Sequence, residues 1–401
     1  MKQIKVLTNK IQNYSWGSYR AIPELMGQKT PSDIPQAELW MGAHPKASSD
    51  IMINGAKEPL IKIIEKYPKD ILGEKTAAKF NNTLPYLFKI LAAGKPLSIQ
   101  AHPGKKMAAK GYTKENARGI PMDAPNRNYK DENHKPECIC ALTPFWALNG
   151  FRKIEDILLL LEQMWCRDLE NEYKILKEHP NHNGLKSFFN ALMTMETHRQ
   201  KNIIEQIVKT VENLSSDNTI LKWILKLNNE YPRDVGVLSP ILLNLVCLNP
   251  GEAMFLHTGT LHAYLDGTGI EIMANSDNVL RGGLTSKHVD LPELLNLLDF
   301  ETKEIKIILP SESDLKHEKI YKCNADEFVL SVIELKNEKY TSAAKRNVEI
   351  IICTSGKAEI YEKRTKKTIT IKNGESVIIP AAVKKYFISG NSILYKAGVP
   401  M

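Results

Sequence analysis

Residues 251–262 read GEAMFLHTGTLH, and this stretch combines a strand signal with a turn signal. Residues 254–257 form a short apolar run, and Ala263 and Tyr264 follow the turn at Gly259. Short apolar runs bounded by Gly and Pro are typical of β-strands. The stretch therefore predicts a β-rich body that contains two nearby histidines, His257 and His262.

Outward from this stretch, the composition and the spacing of apolar residues change along the chain. Residues 1–152 mix short apolar runs with many Gly and Pro, which predicts further strands. From residue 154 to about 229, apolar side chains recur at helical spacing, and Gly and Pro become rare. Residues 348–388 hold several short alternating runs, which are typical of a β-sandwich or barrel. We expect a catalytic β domain at 1–152 plus 233–300, a helical domain at 153–232 and a C-terminal β domain at 301–401.

Composition excludes several classes of protein. The 401 residues are 43% hydrophobic, which excludes disorder and a small disulfide-stapled scaffold. The net charge of +8 suits an anionic small substrate as well as nucleic acid, and we expect no nucleic-acid partner. No apolar run reaches the roughly 18 residues of a membrane span, and no signal peptide is evident. The six scattered cysteines predict reduced thiols in a cytoplasmic protein.

Two short segments place polar groups next to apolar strands. In a strand, Ser98, Gln100 and His102 would share one face, because alternate side chains point the same way. Three polar groups on one face are costly to bury unless they bind something, although an exposed sheet face is the simpler alternative. Glu137 directly precedes the apolar run at residues 138–142, where an unpaired carboxylate would need a metal or another cation.

The spacing of glycines and histidines is similar to the two metal-binding motifs of cupins. A glycine and five residues precede His257, which stands where cupins usually have proline, and His262 follows at the ligand position. A second glycine and five residues precede Gln100 and His102, so glutamine replaces the first histidine of that motif. Glu137 is the first suitable glutamate after them. These donors, two nitrogens and two oxygens, suit a divalent metal such as zinc.

Two longer segments carry the resemblance to a single family. Residues 262–287, HAYLDGTGIEIMANSDNVLRGGLTSK, resemble the long signature of type I mannose-6-phosphate isomerases. Residues 129–137, YKDENHKPE, resemble the second signature of that family. The sequence departs from the long signature at Gly282, where Ala is usual, and at Ser286, where Pro is usual. The N-terminal blocks of the family are also matched, at residues 13–17 and 37–45.

The resemblance implies a fold, a reaction and a set of site residues. The fold would be a cupin-type jelly-roll catalytic domain with an inserted α-helical domain and a C-terminal cupin-like β-sandwich. The chain would interconvert D-mannose 6-phosphate and D-fructose 6-phosphate as a monomer with one zinc ion. The implied roles are metal ligation by Gln100, His102, Glu137 and His262, catalysis by Arg281, Lys135 and Glu271, and substrate binding by Trp16, Ser98, Tyr264, Asp277 and Lys287.

The implied reaction explains why these residue types are needed. A proton leaves C2 of the open-chain aldose and returns at C1 of a cis-enediol, so negative charge on O1 or O2 must be stabilised. Zinc could supply a Lewis acid, and Arg281 a cation that does not deprotonate. A positioned base contributes roughly 10²–10⁴-fold in rate. Glu271, Lys135 and a water on the metal are all candidates, and the sequence does not choose among them. Lys135 and Lys287 are also plausible phosphate anchors.

Two other functions remain as alternatives. One is an iron oxygenase of the cupin class, against which Gln100 and the lysines argue. The other is a non-catalytic regulator that binds a sugar phosphate. His257 matches no role in the family and is predicted to be structural, while His44 and His134 lie in matching blocks without an assigned metal role.

The last strands repeat the spacing of the second cupin motif. Gly374 and five residues precede Pro380, but Lys385 stands at the ligand position and Ala382 replaces the inner glycine. We therefore expect a second cupin sandwich that holds no metal and buttresses the first.

Overall fold

The computed structural model describes residues 1–214 and 217–401 as three packed parts, two of them built from β-sheets. The strands in chain order are β1 (Lys5–Val6), β2 (Lys10–Gln12), β3 (Glu38–Met41), β4 (Asp50–Ile53), β5 (Ala56–Pro59), β6 (Tyr86–Ala93), β7 (Ile99–Ala101), β8 (Glu137–Ala141), β9 (Phe145–Phe151), β10 (Leu243–Leu248), β11 (Ala253–Leu256), β12 (His262–Ala274), β13 (Leu280–Gly283), β14 (Ile307–Ile308), β15 (Ser311–Glu312), β16 (Glu318–Tyr321), β17 (Val329–Thr341), β18 (Glu349–Glu362), β19 (Lys367–Lys372), β20 (Ser376–Ile379) and β21 (Tyr386–Gly398).

Helices lie between the strands and cluster in the middle of the chain. They are α1 (Ala21–Leu25), α2 (Leu60–Lys66), α3 (Pro68–Leu72), α4 (Glu74–Lys79), α5 (Lys105–Ala117), α6 (Ile154–Gln163), α7 (Glu170–Glu178), α8 (His182–Thr194), α9 (Thr197–Asn213), α10 (Thr219–Glu230), α11 (Ser239–Leu242) and α12 (Leu291–Leu297), with 3-10 segments at Arg167–Leu169 and Val235–Leu238. Among the described helices, none is long and apolar enough to cross a bilayer.

Strand β12 joins the two sheets of the first β-sandwich. One sheet has the order β14-β11-β8-β12-β6-β3-β2, and the other contains β10, β9, β12, β7 and β13. The start of β12, from His262, pairs with β7 and β9, whereas its second half, from Gly267, pairs with β6 and β8. Gly267 has a φ of +117°, and a Cβ there would lie 2.5 Å from the Pro144 carbonyl oxygen. Glycine is therefore required where the strand passes between the sheets. The two sheets that share β12 confirm the predicted jelly-roll domain.

The predicted helical region is also confirmed. Helices α6 to α10 lie between β9 and β10 and bury apolar stripes, so that Ile157, Ile207 and Ile224 are fully buried. Their core is continuous with Leu261 and Leu280, which lie beside the metal-binding motif residues on the first sandwich. The helices therefore cover the back of the strands that carry the site.

The C-terminal strands form a separate sheet with the order β1-β20-β18-β21-β17-β16-β15, and β19 pairs with β18. This sheet shares one apolar core with the first sandwich, in which Phe88 and Ile272 belong to the same cluster as Leu330 and Ile352. Strand β1 joins the C-terminal sheet, and β14 joins the first sandwich. The domain boundaries at residues 152, 232 and 300 remain a prediction. Strand β1 comes from the predicted catalytic domain and β14 from the predicted C-terminal domain, and each pairs with a strand of the other domain.

A buried ionic cluster lies inside the C-terminal domain. Lys396 Nζ is 2.7 Å from Glu318 Oε1 and 3.3 Å from Glu349 Oε1. The hydroxyls of Tyr340 and Tyr386 donate to these two carboxylates. Burial alone would lower the pKa of Lys396, but the carboxylates of Glu349 and Glu318 raise it above its usual range. Lys396 is therefore a buried, protonated lysine whose charge is balanced by the carboxylates of Glu318 and Glu349.

Candidate metal centre

Three side chains from both sheets of the first sandwich converge in its interior. His102 follows β7, Glu137 begins β8, and His262 begins β12. His102 Nε2 lies 3.3 Å from Glu137 Oε1, and His262 Nε2 lies 3.6 Å from Glu137 Oε2. One ligand atom from each residue lies within 4.8 Å of the others, and all three side chains are buried. This is the spacing at which a single metal ion can bind three donors.

Hydrogen bonds orient both imidazole rings toward the centre. His102 Nδ1 is 2.8 Å from the Asn278 carbonyl oxygen, and His262 Nδ1 is 2.9 Å from the Thr260 carbonyl oxygen. Because a carbonyl oxygen only accepts hydrogen bonds, each Nδ1 carries the proton and donates it. Each Nε2 is therefore unprotonated and keeps a lone pair. Both Nε2 atoms are buried without a hydrogen-bond partner, as is Glu137 Oε2. Acceptors that face one another in this way require a cation.

The charge states of the donors also suit a metal. Burial, together with the positive charge of Lys135, lowers the pKa of His102 to about 4, so its imidazole is neutral near pH 7. Burial alone would raise the pKa of Glu137, but the neighbouring positive charge of Lys135 helps to hold it well below its usual range. The centre therefore offers the unprotonated Nε2 atoms of His102 and His262 and one carboxylate, a donor set that zinc commonly takes.

Gln100, the fourth predicted ligand, lies beside this group. In the strand register it stands opposite His262 on β12 and opposite Arg281 on β13. Residues paired in this way place their side chains on the same face of a sheet. The register thus brings Gln100 and Arg281 to the face that carries His262, while the metal role of Gln100 remains a prediction.

Cationic side chains gather around Arg281. Partial loss of solvent around Lys287, together with the neighbouring charge of Arg281, lowers the pKa of this lysine. Much of its side chain still reaches solvent. Burial and the charges of Lys46, Arg281 and Lys287 also lower the pKa of Lys130, although Asp277 opposes them. Lys135 Nζ is 3.3 Å from Glu137 Oε1, with 11% of the side chain exposed. The sequence analysis missed Lys46 and Lys130, which only the folded chain brings together with Arg281.

Asp277 is engaged by two basic side chains. Its carboxylate lies 2.9 Å from Lys46 Nζ and 3.6 Å from His44 Nε2. Burial lowers the pKa of His44 to about 4, which outweighs the attraction of Asp277 for its charged form. Asp277 is therefore held as an ion pair with Lys46, and its predicted contact with a substrate remains a prediction.

A second buried network surrounds Glu271. The Tyr264 hydroxyl donates to Glu271 Oε1 at 2.9 Å, and Lys89 forms an ion pair with Glu271 Oε2. Lys89 Nζ also lies 3.5 Å from Glu38 Oε1, and Trp40 Nε1 donates to Glu38 Oε2 at 2.6 Å. Lys89 and Glu38 were missed from the sequence. The signal available for Lys89 was a lone charge inside the apolar run at residues 85–93.

The remaining predicted pocket residues occupy different environments. Tyr264 is only 1% exposed and packs edge-on against Phe145, so its main contact is the hydrogen bond to Glu271. Trp16 is half-buried, stacks on Tyr14 and packs on the apolar cluster that contains Tyr264. Ser98 is half-buried directly before β7. Their substrate contacts remain predictions.

The two signature segments are fastened to each other. Asp131 accepts hydrogen bonds from Ser276 Oγ at 2.8 Å and from the Asp277 amide at 2.8 Å. The side-chain amide of Asn278 donates to the carbonyls of Asp131 and Asn133. Because the Asn278 carbonyl also accepts from His102, these bonds connect both segments to a metal ligand.

A His–Glu–His centre inside a cupin sandwich, with cations beside it, defines a metal-dependent cupin enzyme suited to an anionic substrate. The sequence matches the phosphomannose isomerase type I catalytic domain over residues 4–154, the helical insertion domain of the same family over 160–243, and the mannose-6-phosphate isomerase cupin domain over 317–396. The chain therefore belongs to the type I phosphomannose isomerase family.

Individual relatives match along nearly the whole chain. Mannose-6-phosphate isomerase from Salmonella typhimurium is 42% identical, with 97% of each chain covered. The Homo sapiens enzyme of that name is 33% identical, with 94% of this chain and 93% of the human protein covered. The crystal structure of a zinc-bound mannose 6-phosphate isomerase superposes with a TM-score of 0.92 at 41% identity, covering 99% of this chain and all of the other.

Proposed function

We propose that this chain is a zinc-dependent aldose–ketose isomerase that interconverts D-mannose 6-phosphate and D-fructose 6-phosphate. The observation that carries the proposal is the set of three buried, mutually facing acceptors on His102, Glu137 and His262. The matching family signatures and the cationic surroundings of Arg281 support the choice of substrate. An oxygenase would not need a permanent cation and a lysine beside this centre, whereas a regulator that binds a sugar phosphate would share them and is distinguished by the absence of turnover.

His102, Glu137 and His262 would hold the zinc ion, with Gln100 as the fourth ligand. When bound there, zinc supplies a Lewis acid that stabilises negative charge on the substrate oxygens. The deprotonated Nε2 atoms and the ionised Glu137 are ready to bind it without losing a proton. Lys135 partly balances the charge of Glu137 from 3.3 Å away.

Arg281 would stabilise the charge that develops on the enediol. Its strand register places it on the Gln100 face, and its guanidinium stays protonated throughout the reaction. Lys287, which is exposed near Arg281, would bind the phosphate, with Ser98 and Trp16 contributing to the same pocket. A phosphate dianion is well matched to this local excess of positive charge.

The proton-transfer group would be Lys135 in preference to Glu271. Both oxygens of Glu271 are already engaged, one by the Tyr264 hydroxyl and the other by Lys89. Lys135 Nζ lies next to the metal donors. Its ammonium would first give a proton to solvent, and the resulting amine would take the proton from C2 and return it at C1. Glu271 would then fix the position of Tyr264, while Asp277 would act through its contacts with Lys46 and His44.

The test combines metal analysis with a coupled assay for conversion of mannose 6-phosphate. We expect about one zinc per chain, loss of activity with EDTA and recovery when zinc is added back. Lys135→Met should abolish exchange of the C2 proton with solvent while zinc stays bound, and Glu271→Gln should retain measurable exchange. A zinc-free protein with full activity would contradict the proposal, and a zinc-loaded protein that binds the substrate without turnover would favour the regulator.

Three further expectations accompany this function. The free cysteines favour a cytoplasmic location, and the predicted substrate gives no reason for a nucleic-acid partner. A monomer is the third expectation. Each of the three stays a prediction.

A further inference from the structure

Asp234 lies just after the helical domain and accepts hydrogen bonds from a loop of the catalytic domain. Its Oδ1 accepts from the Gly236 amide at 2.7 Å and from the Leu284 amide at 2.8 Å. Its Oδ2 accepts from the Thr285 amide at 3.2 Å. One carboxylate thus holds two consecutive amides of a segment that is distant in sequence.

The loop that Asp234 holds has a backbone conformation that is unfavourable on its own. Leu284 has a φ of +51°, in the left-handed region that a branched side chain rarely adopts, and its side chain is buried. Such a residue persists only where the surroundings impose its conformation, and these positions concentrate at functional sites. The Asp234 carboxylate and the apolar packing of Leu284 are those surroundings.

The two backbones also approach too closely for side chains to fit between them. A Cβ on Gly236 would lie 2.7 Å from the Leu284 nitrogen, and a Cβ on Gly283 would lie 3.0 Å from the Gly236 Cα. Glycine on both sides of the contact lets Asp234 reach the loop amides. The contact therefore depends on the local sequence of both segments.

This loop lies between two residues of the proposed site. Arg281 precedes it, and the Lys287 amide donates to Thr285 Oγ1 at 3.1 Å. Asp234 fixes Thr285, and Thr285 in turn fixes the backbone of Lys287. The segment that carries Asp234 also contacts the Ser98 side of the pocket, because the Tyr231 hydroxyl donates to the Pro96 carbonyl at 2.7 Å.

We propose that Asp234 is a positioning residue for the phosphate end of the substrate, through its hold on the turn that carries Lys287. The inference rests on the proposed function, since it takes Lys287 as a phosphate anchor. Asp234 itself touches no substrate. It determines where the Lys287 ammonium stands, and hence how tightly a phosphomonoester dianion binds.

The test compares Asp234→Ala and Asp234→Asn with the zinc-loaded wild-type protein. We expect KM for mannose 6-phosphate and the dissociation constant of inorganic phosphate to rise about tenfold in Asp234→Ala, with kcat and zinc content much less affected. Asp234→Asn keeps one acceptor oxygen and should show a smaller rise. Thr285→Val, which removes only the acceptor of the Lys287 amide, should change phosphate binding in the same direction.

The matched control is Asn181→Ala in the helical domain. Asn181 also accepts two backbone amides, those of Asn183 and Gly184, but far from the site in sequence and in a different turn. This variant should lower the melting temperature without changing KM. The inference is overturned if Asp234→Ala and Thr285→Val bind phosphate as the wild type does. Calorimetry with inorganic phosphate needs no turnover, so an inactive wild-type protein would refute the proposed function separately.

Discussion

The Lys89→Met variant offers the sharpest test of the electrostatics beside the metal centre. Lys89 is 5% exposed and faces two carboxylates, Glu271 and Glu38, that are themselves buried. Methionine keeps most of the side-chain volume but leaves both carboxylates without their cation. Breaking a buried ion pair from one side costs about 3–5 kcal/mol, because the remaining charge stays buried without compensation.

The loss of stability should also depend on pH in a defined direction. Burial raises the pKa of Glu271 above its usual value, and the charge of Lys89 opposes that rise. Without Lys89 the folded-state pKa rises further above the unfolded value, so the folded protein prefers the protonated carboxyl. A group of this kind stabilises the fold below its unfolded pKa and loses that contribution as pH rises. The cost of Lys89→Met should therefore be smallest near pH 5 and largest near pH 8.

The assay is urea unfolding of the zinc-loaded protein at both pH values. The double variant Lys89→Met with Glu271→Gln should be less destabilised than the sum of the single variants, by roughly 1–3 kcal/mol. Lys79→Met is the control, because Lys79 pairs with Asp326 at the surface and should change stability by less than about 1 kcal/mol. If Lys89→Met cost no more than Lys79→Met, or cost the same at both pH values, the reasoning would be refuted.

Three other outcomes follow from the same structure. His262→Ala should lose bound zinc and isomerisation together, and full activity without metal in that variant would contradict the ligand assignment. Arg281→Ala should keep its zinc while turnover falls on the order of 10²-fold, as measured by metal analysis and the coupled assay. Lys396→Met should destabilise the C-terminal domain by about 3–5 kcal/mol in urea unfolding, since Glu318 and Glu349 would remain buried.

Residues with a local signal could be predicted from the sequence. Glu137 was found because a carboxylate at the start of an apolar strand needs a cation, and the structure gives it two histidines. His102 and His262 were found because their spacing from Gly94 and Gly251 resembles the two metal-binding motifs of cupins. The helical region was found because its apolar period matches one buried face on each helix.

Residues whose partners lie far away in sequence could not be predicted. Lys89 was visible as a charge in an apolar strand, but its partners Glu38 and Glu271 come from separate strands. Asp234 gives no signal, because it is an ordinary loop aspartate until the chain folds against Leu284. The pairing of β1 with β20 has the same origin, since a two-residue strand is too short to show a period.

The position of the metal centre relates the fold to the chemistry. His102 and His262 belong to one sheet of the first sandwich, while Glu137 begins a strand of the other sheet. Their facing lone pairs and carboxylate repel one another across the junction between the sheets. A bound cation would replace that repulsion with attraction to all three donors, so metal binding would also stabilise the packing of the two sheets. Because Gln100 and Arg281 extend the same face by strand register, an ion bound there would also lie next to the cation proposed to stabilise the reacting oxygens. A single arrangement of strands would therefore serve both a structural and a catalytic role of the metal.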